Sequence, residues 1–436
     1  MQKQTKWLIL IFCLGLILRL FFAVNSPDPI ISDGVSYDAL AVSLANGRGF
    51  SLNGQDLTSS VPPGFPFVLA SIYALFGHNF MAALIVQAIL GAVLCLLVYQ
   101  LAKGVVKDKT IALVSAAICC VYYYFLREGE RLLTEPLFMF LLVLSVLYYV
   151  KMSGDSNLLY PAMFGLSCAL LTLTRPVGLF LPFILLGIEL LRVSPRNKTQ
   201  GFAYLKRAGI ILLVFMIPLG LWAGRNFLVH KELVLVTTNG GANFYESFNP
   251  YQGKKYGITV KDQVTEQADK ISSEVARDKF YFKQAAKSIS SKSPAELFKL
   301  TLLKAATFWS LLDWGAMGNG GYVFNFCTAF ILPFSLAAVI LLRKDKFALS
   351  VLLTPLSYFF LLSLVFMGLP RFRFPAEPFL IILAAYSIVR LFRRFSRKTI
   401  PAAVVFTWLG LNLWMFINSE AAKGLLKKIA KLSGLW

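Results

Sequence analysis

Histidine is almost missing from this 436-residue chain: His78 and His230 are the two it has, and each stands alone beside an apolar run. That leaves no material for a His-rich metal centre or a Ser/His/Asp triad. Cysteine is sparse as well. The six cysteines, Cys13, Cys95, Cys119, Cys120, Cys168 and Cys327, form no CxxC and all fall inside apolar runs, where a thiol packs as a small hydrophobe rather than bridging or binding metal. Charge is scarce: 15% of residues are Asp, Glu, Lys or Arg, against 57% hydrophobic and 14% aromatic, far from the composition of a water-soluble globular domain. No internal repeat and no low-complexity tract breaks the pattern.

What the chain has instead is long apolar runs. Crossing about 30 Å of hydrocarbon takes roughly 20 helical residues, and about eleven such spans are expected, near 7–24, 80–102, 111–126, 132–150, 158–174, 177–191, 208–228, 322–342, 347–367, 374–391 and 400–417. The first run follows Lys3 and Lys6 like a signal peptide. It is too long for one, contains Arg19 and lacks a small-residue cleavage site, so it reads as a retained anchor.

Basic residues outnumber acidic ones 43 to 22, a formal net charge of +21. The cations are spread over separate short connections without interleaved aromatics, which argues against nucleic acid as a partner. They also fall on alternate connections: Lys103, Lys107, Lys109, Lys151, Arg192, Lys206, Arg207, Arg343, Lys344, Arg393 and Arg394 on one set, with few on the other. Positive loops resist translocation, so the expected N-terminus is cytoplasmic and segments 25–79 and 229–300 lie outside, with the plasma membrane as the location and membrane lipids as partners.

These two outer segments are where chemistry is expected. The first runs through an amphipathic stretch, Asp33 to Ala45, ended by Gly47, Gly49 and Gly54, and on to the turn-rich VPPGFPF at 61–67. The second begins with an extended LVLVTTNGGANFY stretch, and a membrane-skimming helix is expected at about Glu296 to Asp313. The tail from 420 to 436 places Lys423, Lys427, Lys428 and Lys431 opposite Leu425, Leu426 and Ile429, the pattern of an interfacial helix on anionic lipid. The expected organisation is an N-terminal membrane module over 1–228, an outer loop with an interfacial helix over 229–321, a C-terminal transmembrane module over 322–419 and the cationic tail.

Acids gather at the outer border: Asp33, Asp38, Glu128, Glu130, Glu135, Asp313 and Glu377, while Glu189 near the other border is almost alone within the spans. An ion-coupled transporter needs polar groups near the midplane, so this asymmetry speaks against one. Four arginines share the acidic border: Arg175 in LTRP, Arg225 in WAGRN, and Arg371 and Arg373 in PRFRFP. A carboxylate with several guanidiniums is what glycosyl transfer from a lipid phosphate requires, because the acceptor hydroxyl needs a base and the leaving phosphate needs cations. Each residue also has a structural reading. Asp33 can serve the start of a helix after Ser32, Glu135 can complement a helix dipole before Pro136, and border arginines can snorkel to headgroups. Glu128 and Glu130 alternate with Arg127 and Arg131 and read as a solvated ion-pair cluster.

The ordered motifs RLFF at 19–22, SDGVSYDALAVSLANGRGFS at 32–51, PPGFPFVLA at 62–70, TEPLF at 134–138, LTRPVG at 173–178, PLGLWAGRNFLV at 218–229, TNGGANFY at 238–245 and RFRFPAEPFLIILAAY at 371–386 resemble bacterial members of the GT-C superfamily, related to the protein O-mannosyltransferases and the lipid A aminoarabinose transferases. The resemblance implies an all-α integral membrane protein and an inverting glycosyltransferase, moving a hexosyl or pentosyl group from a polyprenyl-phosphate donor to an extracytoplasmic glycan, lipid or protein. It implies Asp33 as general base and, by position, Arg175, Arg225, Arg371 and Arg373 as candidates for the donor phosphate; Glu135 is the other catalytic candidate, on its border position before Pro136. Tyr37 and the motif residues Asn243 and Tyr245 are the substrate-binding candidates. The chain departs from the eukaryotic mannosyltransferases in having Asp33-Gly34 where they have a paired Asp-Glu, which removes a two-carboxylate site there and puts protein as the acceptor in doubt. A large C-terminal globular domain like that of the oligosaccharyltransferase branch is not expected, and divalent-metal dependence stays open. The alternatives are a lipid-linked sugar flippase or transporter, and a non-catalytic scaffold for an envelope polysaccharide complex.

Overall fold

A computed structural model describes residues 2–26, 29–192, 198–249, 262–314 and 322–419, with Gly424 beyond them. The expected cationic tail thus lies outside the described residues, as do 250–261 of the second outer segment. The described chain is helical throughout except for a two-stranded antiparallel ribbon, β1 (Leu312–Trp314) against β2 (Tyr322–Phe324). It is a multi-pass membrane protein.

Seven helices among the described residues are long and apolar enough to cross a membrane: Gln4–Val24, Phe80–Val106, Glu135–Gly154, Thr199–His230, Lys346–Val365, Pro370–Arg394 and Thr399–Ile417. The other four expected spans are shorter, at Lys109–Val121, Leu159–Thr174, Pro176–Leu190 and Phe326–Leu341. Local chemistry cuts them. Tyr122 is extended and splits α5 (Lys109–Val121) from α6 (Tyr123–Glu128), and the Arg175-Pro176 pair ends α8 (Leu159–Thr174) because the residue before proline is pushed out of the helical region. The expected count of about eleven therefore resolves into seven full-length and four short helices.

The bundle starts with α1 (Gln2–Val24), α4 (Phe80–Val106) and α7 (Glu135–Gly154), and continues through α9 (Leu181–Leu190), α10 (Lys198–His230), α15 (Phe326–Leu341), α16 (Lys346–Val365), α18 (Glu377–Arg394) and α19 (Thr399–Ile417). Polar caps set several starts: Asn79 accepts from Ala82 N–H before α4, and Asp108 from Thr110 and Ile111 N–H before α5. Helix α18 is the hub, with every residue from Glu377 to Val389 buried; a helix apolar on all sides sits where no face meets solvent. Arg19, fully inside the α1–α4–α5 contact, donates to the Gly15 carbonyl at 3.0 Å and uses the space left by Gly91, so it pairs helices.

At one end of the bundle the two connecting segments form a common layer. The first supplies α2 (Asp33–Ala45), with the bounds expected from its pattern, and α3 (Gly64–Phe76), a second helix where a turn-rich segment was expected. The second supplies α11 (Gly240–Phe248), α12 (Gln263–Asp269), α13 (Glu274–Ser290) and α14 (Pro294–Phe308). Two expectations change here. The GANFY part of the extended stretch is helical in α11, where Gly241 N–H donates to Asp278 Oδ1 at 2.6 Å, and the helix expected to reach Asp313 stops at Phe308 before the β-ribbon.

The layer is stitched by Glu274 of α13, which accepts from Ser59 N–H at 2.9 Å, Thr58 Oγ1 at 2.5 Å and Thr238 Oγ1 at 3.1 Å. A short helix, α17 (Pro370–Arg373), and a 3-10 turn (Phe374–Ala376) lead from that layer into α18.

Candidate active site

Asp33 is the first residue of α2. Ser32 before it makes no side-chain cap and takes φ 52°. The Asp33 carboxylate is half-exposed, and its Oδ2 accepts from Arg371 Nη2 at 3.0 Å. It therefore faces the bundle's C-terminal half instead of capping its own helix.

The same guanidinium turns its other edge to α7, where Arg371 Nε donates to Glu135 Oε1 at 2.5 Å. Arg175, at the break after α8, brings Nη1 within 2.9 Å of that oxygen as an ion pair. Glu135 is fully buried. A buried carboxylate is tolerated only when paired, and two guanidiniums meet that need. Residues from four separate segments, Asp33, Arg371, Glu135 and Arg175, thus form one alternating chain of charges.

Two glycines admit the backbones that carry this chain. A Cβ on Gly64, in the PPG of the first segment, would stand 2.7 Å from Thr174 Oγ1 and 2.8 Å from Thr174 N, the residue before Arg175. A Cβ on Gly34 would stand 3.0 Å from the Leu132 carbonyl oxygen. Leu132 is itself held, its N–H donating to the Pro29 carbonyl at 2.9 Å, while Gln87 Nε2 donates to the adjacent Arg131 carbonyl at 2.8 Å. The position that carries Glu in the Asp-Glu pair is closed here by backbone.

Arg175 and Arg371 also line a narrow apolar pocket whose other walls include Phe138, Val177, Phe359, Leu362, Phe366 and Met367. Two cations thus stand beside a lipophilic slot.

Tyr37, one turn after Asp33, is buried against Phe65 with ring centroids 5.4 Å apart. Burial, with the Asp33 carboxylate next in weight, pushes its phenol up to about 12, so it stays a neutral hydroxyl beside the charge chain. Other expected site residues are used elsewhere. Arg225 donates through Nη1 to the Thr58 carbonyl at 2.7 Å and Ser59 Oγ at 3.0 Å and lies 4.9 Å from the Trp222 ring; it clamps the first segment to α10. Arg373 is fully buried, donating to the Phe308 carbonyl and to Glu377 Oε1 at 3.3 Å. With its fork occupied and no exposed surface, it is closed to a phosphate. Tyr245 is buried and donates to Asp262 Oδ2 at 2.8 Å, tying α11 to α12. Asn243 is exposed on α11, and its side chain makes no hydrogen bond to the charge chain. Glu135 has no exposed surface and holds two guanidiniums, the contacts of a positioning group.

Glu128 was read from sequence as part of a solvated cluster. The structure places it at the end of α6, where burial and the Glu135 carboxylate push it up to about 7, against the pull of Arg371. Spacing gave no hint of this, because Glu135 and Arg371 come from other segments. Among the described residues no three His, Cys, Asp or Glu side chains are grouped to hold a metal ion.

The profile of the dolichyl-phosphate-mannose-protein mannosyltransferase family matches residues 60–222. An uncharacterized protein of Aquifex aeolicus is 30% identical over 173 residues, 39% of this chain and 34% of its own length. Among solved structures, the archaeal oligosaccharyltransferase AglB from Archaeoglobus fulgidus, in complex with an inhibitory peptide and a dolichol-phosphate, superposes with a TM-score of 0.54 at 13% identity over 94% of this chain and 54% of its own. ArnT from Cupriavidus metallidurans bound to undecaprenyl phosphate gives a TM-score of 0.43 at 12% identity over 89% of this chain and 78% of its own. The chain thus spans about a third of the length of the curated relative it matches and about half of AglB. Over most of its length the chain has a fold like that of AglB, and its residues 60–222 match the dolichyl-phosphate-mannose-protein mannosyltransferase family.

Proposed function

We propose that this protein transfers a sugar from a polyprenyl-phosphate carrier to an acceptor hydroxyl, at the outer face of the bacterial plasma membrane. The observation that carries the reading is the alternating chain Asp33–Arg371–Glu135–Arg175 at the mouth of an apolar slot. Fold likeness to a protein seen with a dolichol-phosphate, and the mannosyltransferase match, support the same class of donor.

Each residue then has a defined task. The prenyl chain lies in the slot, and the donor phosphate meets the Arg175 guanidinium and the outer edge of Arg371. The acceptor oxygen attacks the anomeric carbon from the face opposite the phosphate, which inverts configuration. The bond from that carbon to the phosphate oxygen breaks, its electron pair leaves on the phosphate, and Asp33 takes the acceptor proton. The phosphate gains a negative charge as the bond breaks, so guanidiniums already fixed by Glu135 stabilise the transition state more than the ground state. Arg225 and Arg373 hold the scaffold.

The test offers membranes a panel of radiolabelled polyprenyl-phosphate sugars and compares wild type with Arg175→Ala. Transfer with one donor, with KM raised at least tenfold in the variant, is expected. Carrier crossing the bilayer with no transfer from any donor would instead identify a flippase.

A further inference from the structure

A second cavity, polar and of about 550 Å³, opens at the end of the bundle opposite Asp33, among the ends of α4, α7 and α9 and the start of α10. Helix α7 links the two ends. Glu135 begins it and Gly154, in the cavity wall, ends it 20 residues on, roughly 30 Å at about 1.5 Å per residue.

The walls carry Lys107, Arg192, Arg207 and Glu189. Arg207 Nη1 lies 3.2 Å from Glu189 Oε1. Arg192 stacks 4.7 Å over the Phe347 ring and gives Nη2 to Ser350 Oγ at 2.6 Å, which leaves other donors on its fork. The Lys107 ammonium makes no hydrogen bond or ion pair among the described residues. Three cations against one carboxylate leave the cavity net positive. Glu189, nine-tenths buried, keeps Oε2 without a hydrogen-bond partner. An unpaired buried oxygen is costly, and here it stands beside unused cationic donors.

A ligand that resolves both imbalances brings an anionic phosphate for Lys107 and Arg192 and a hydroxyl donor for Glu189. The rim says where it comes from. Leu190, Leu191, Phe202 and Leu205, each next in sequence to a lining residue, are all more than half exposed, an apolar lip that acyl chains cover and free phosphate leaves bare. Basic pockets between membrane helices bind acidic headgroups by the same chemistry.

We propose that this cavity is a site for a phospholipid with a net-anionic, hydroxyl-bearing headgroup, the chemistry of phosphatidylglycerol. Its phosphate sits between Lys107 and Arg192, a headgroup hydroxyl donates to Glu189, and the tails lie on the lip formed by α9 and α10. The site lies a full helix length from the charge chain and does not depend on the reading of that chain.

The experiment uses the full chain, purified and delipidated in neutral detergent, titrated in parallel with phosphatidylglycerol, phosphatidylcholine and inorganic phosphate. Melting temperature and retained lipid by native mass spectrometry are the readouts. Phosphatidylglycerol should raise Tm and stay bound as one copy, and Lys107→Ala with Arg192→Gln should cut retention at least fivefold. Lys107→Ala alone, at an exposed position, should cut it at least twofold, so the site stays testable if the double variant folds poorly. Equal retention in wild type and the single variant would overturn the proposal. So would equal protection by phosphatidylcholine, or by inorganic phosphate alone.

Discussion

Arg371 stands between Asp33 and Glu135 with one edge to each: Nη2 is 3.0 Å from Asp33 Oδ2, and Nε is 2.5 Å from Glu135 Oε1. One planar fork therefore ties an exposed carboxylate on α2 to a buried one on α7. The ammonium of lysine is a point charge and cannot span both at these distances.

It follows that Arg371→Lys should keep the fold and lose transfer. Removing one preorganised donor from a developing anion costs about 10²–10³ in kcat, so kcat measured at saturating donor should fall by roughly that factor. A variant within threefold of wild type would show that Arg371 is not part of the reacting geometry.

Glu135→Gln should weaken both fold and activity. Breaking a buried ion pair by removing one partner costs about 3–5 kcal/mol, and here two guanidiniums are released together. Thermal unfolding in detergent should show a clear drop in Tm, and transfer should fall because Arg175 and Arg371 lose their common anchor. Full activity with unchanged Tm would remove Glu135 from the account.

Glu128 makes the protein's stability depend on pH in a defined direction. Its folded pKa is raised from the ordinary 4.5 to about 7 by burial and by Glu135. The folded state thus holds a proton that the unfolded state has released, so this contribution is full below about 4.5 and is lost as pH rises through about 7. Unfolding measured from pH 5 to pH 8 should show a decline in wild type that Glu128→Gln flattens. Parallel curves for the two proteins would contradict it.

Lys304 on α14 predicts the opposite slope. It is fully buried, donates to Ser247 Oγ at 2.5 Å and to the Leu364 and Val365 carbonyls at 3.3 Å, and burial pushes it down to about 8. Its folded pKa lies below its unfolded one, so stability should rise between about pH 8 and pH 10. Lys304→Met should remove that rise. A persisting rise would place its source in another group.

Gly34→Glu restores the Asp-Glu pair of the eukaryotic mannosyltransferases in sequence. The added Cβ would meet the Leu132 carbonyl oxygen at 3.0 Å, and the start of α2 would have to move with Asp33 upon it. Transfer should fall at least tenfold, and wild-type activity in this variant would show that the contact yields at no cost.

Much of the layout was legible from local signals. The bounds of α2 follow from an acid at its start, an apolar period and the glycines after it, and the apolar runs marked the helices, with extended Tyr122 and the Arg175-Pro176 pair cutting two of them short. Border arginines were legible only as a set. Arg371 and Arg373 sit two residues apart in one motif, yet one faces Asp33 and the other is sealed against the Phe308 carbonyl. What separates them is which backbone lies opposite, and that comes from α14, more than sixty residues away. Glu128 was missed for the same reason: its neighbours in sequence are arginines, while burial and a carboxylate from α7 set its pKa.

The most direct test is transfer by Asp33→Asn against wild type at matched membrane levels, with the donor that wild type accepts. The substitution keeps shape and a hydrogen-bond acceptor for Arg371 and removes the base. Transfer lost by at least a hundredfold, with donor binding retained, is the result this account predicts; transfer at the wild-type rate would contradict it.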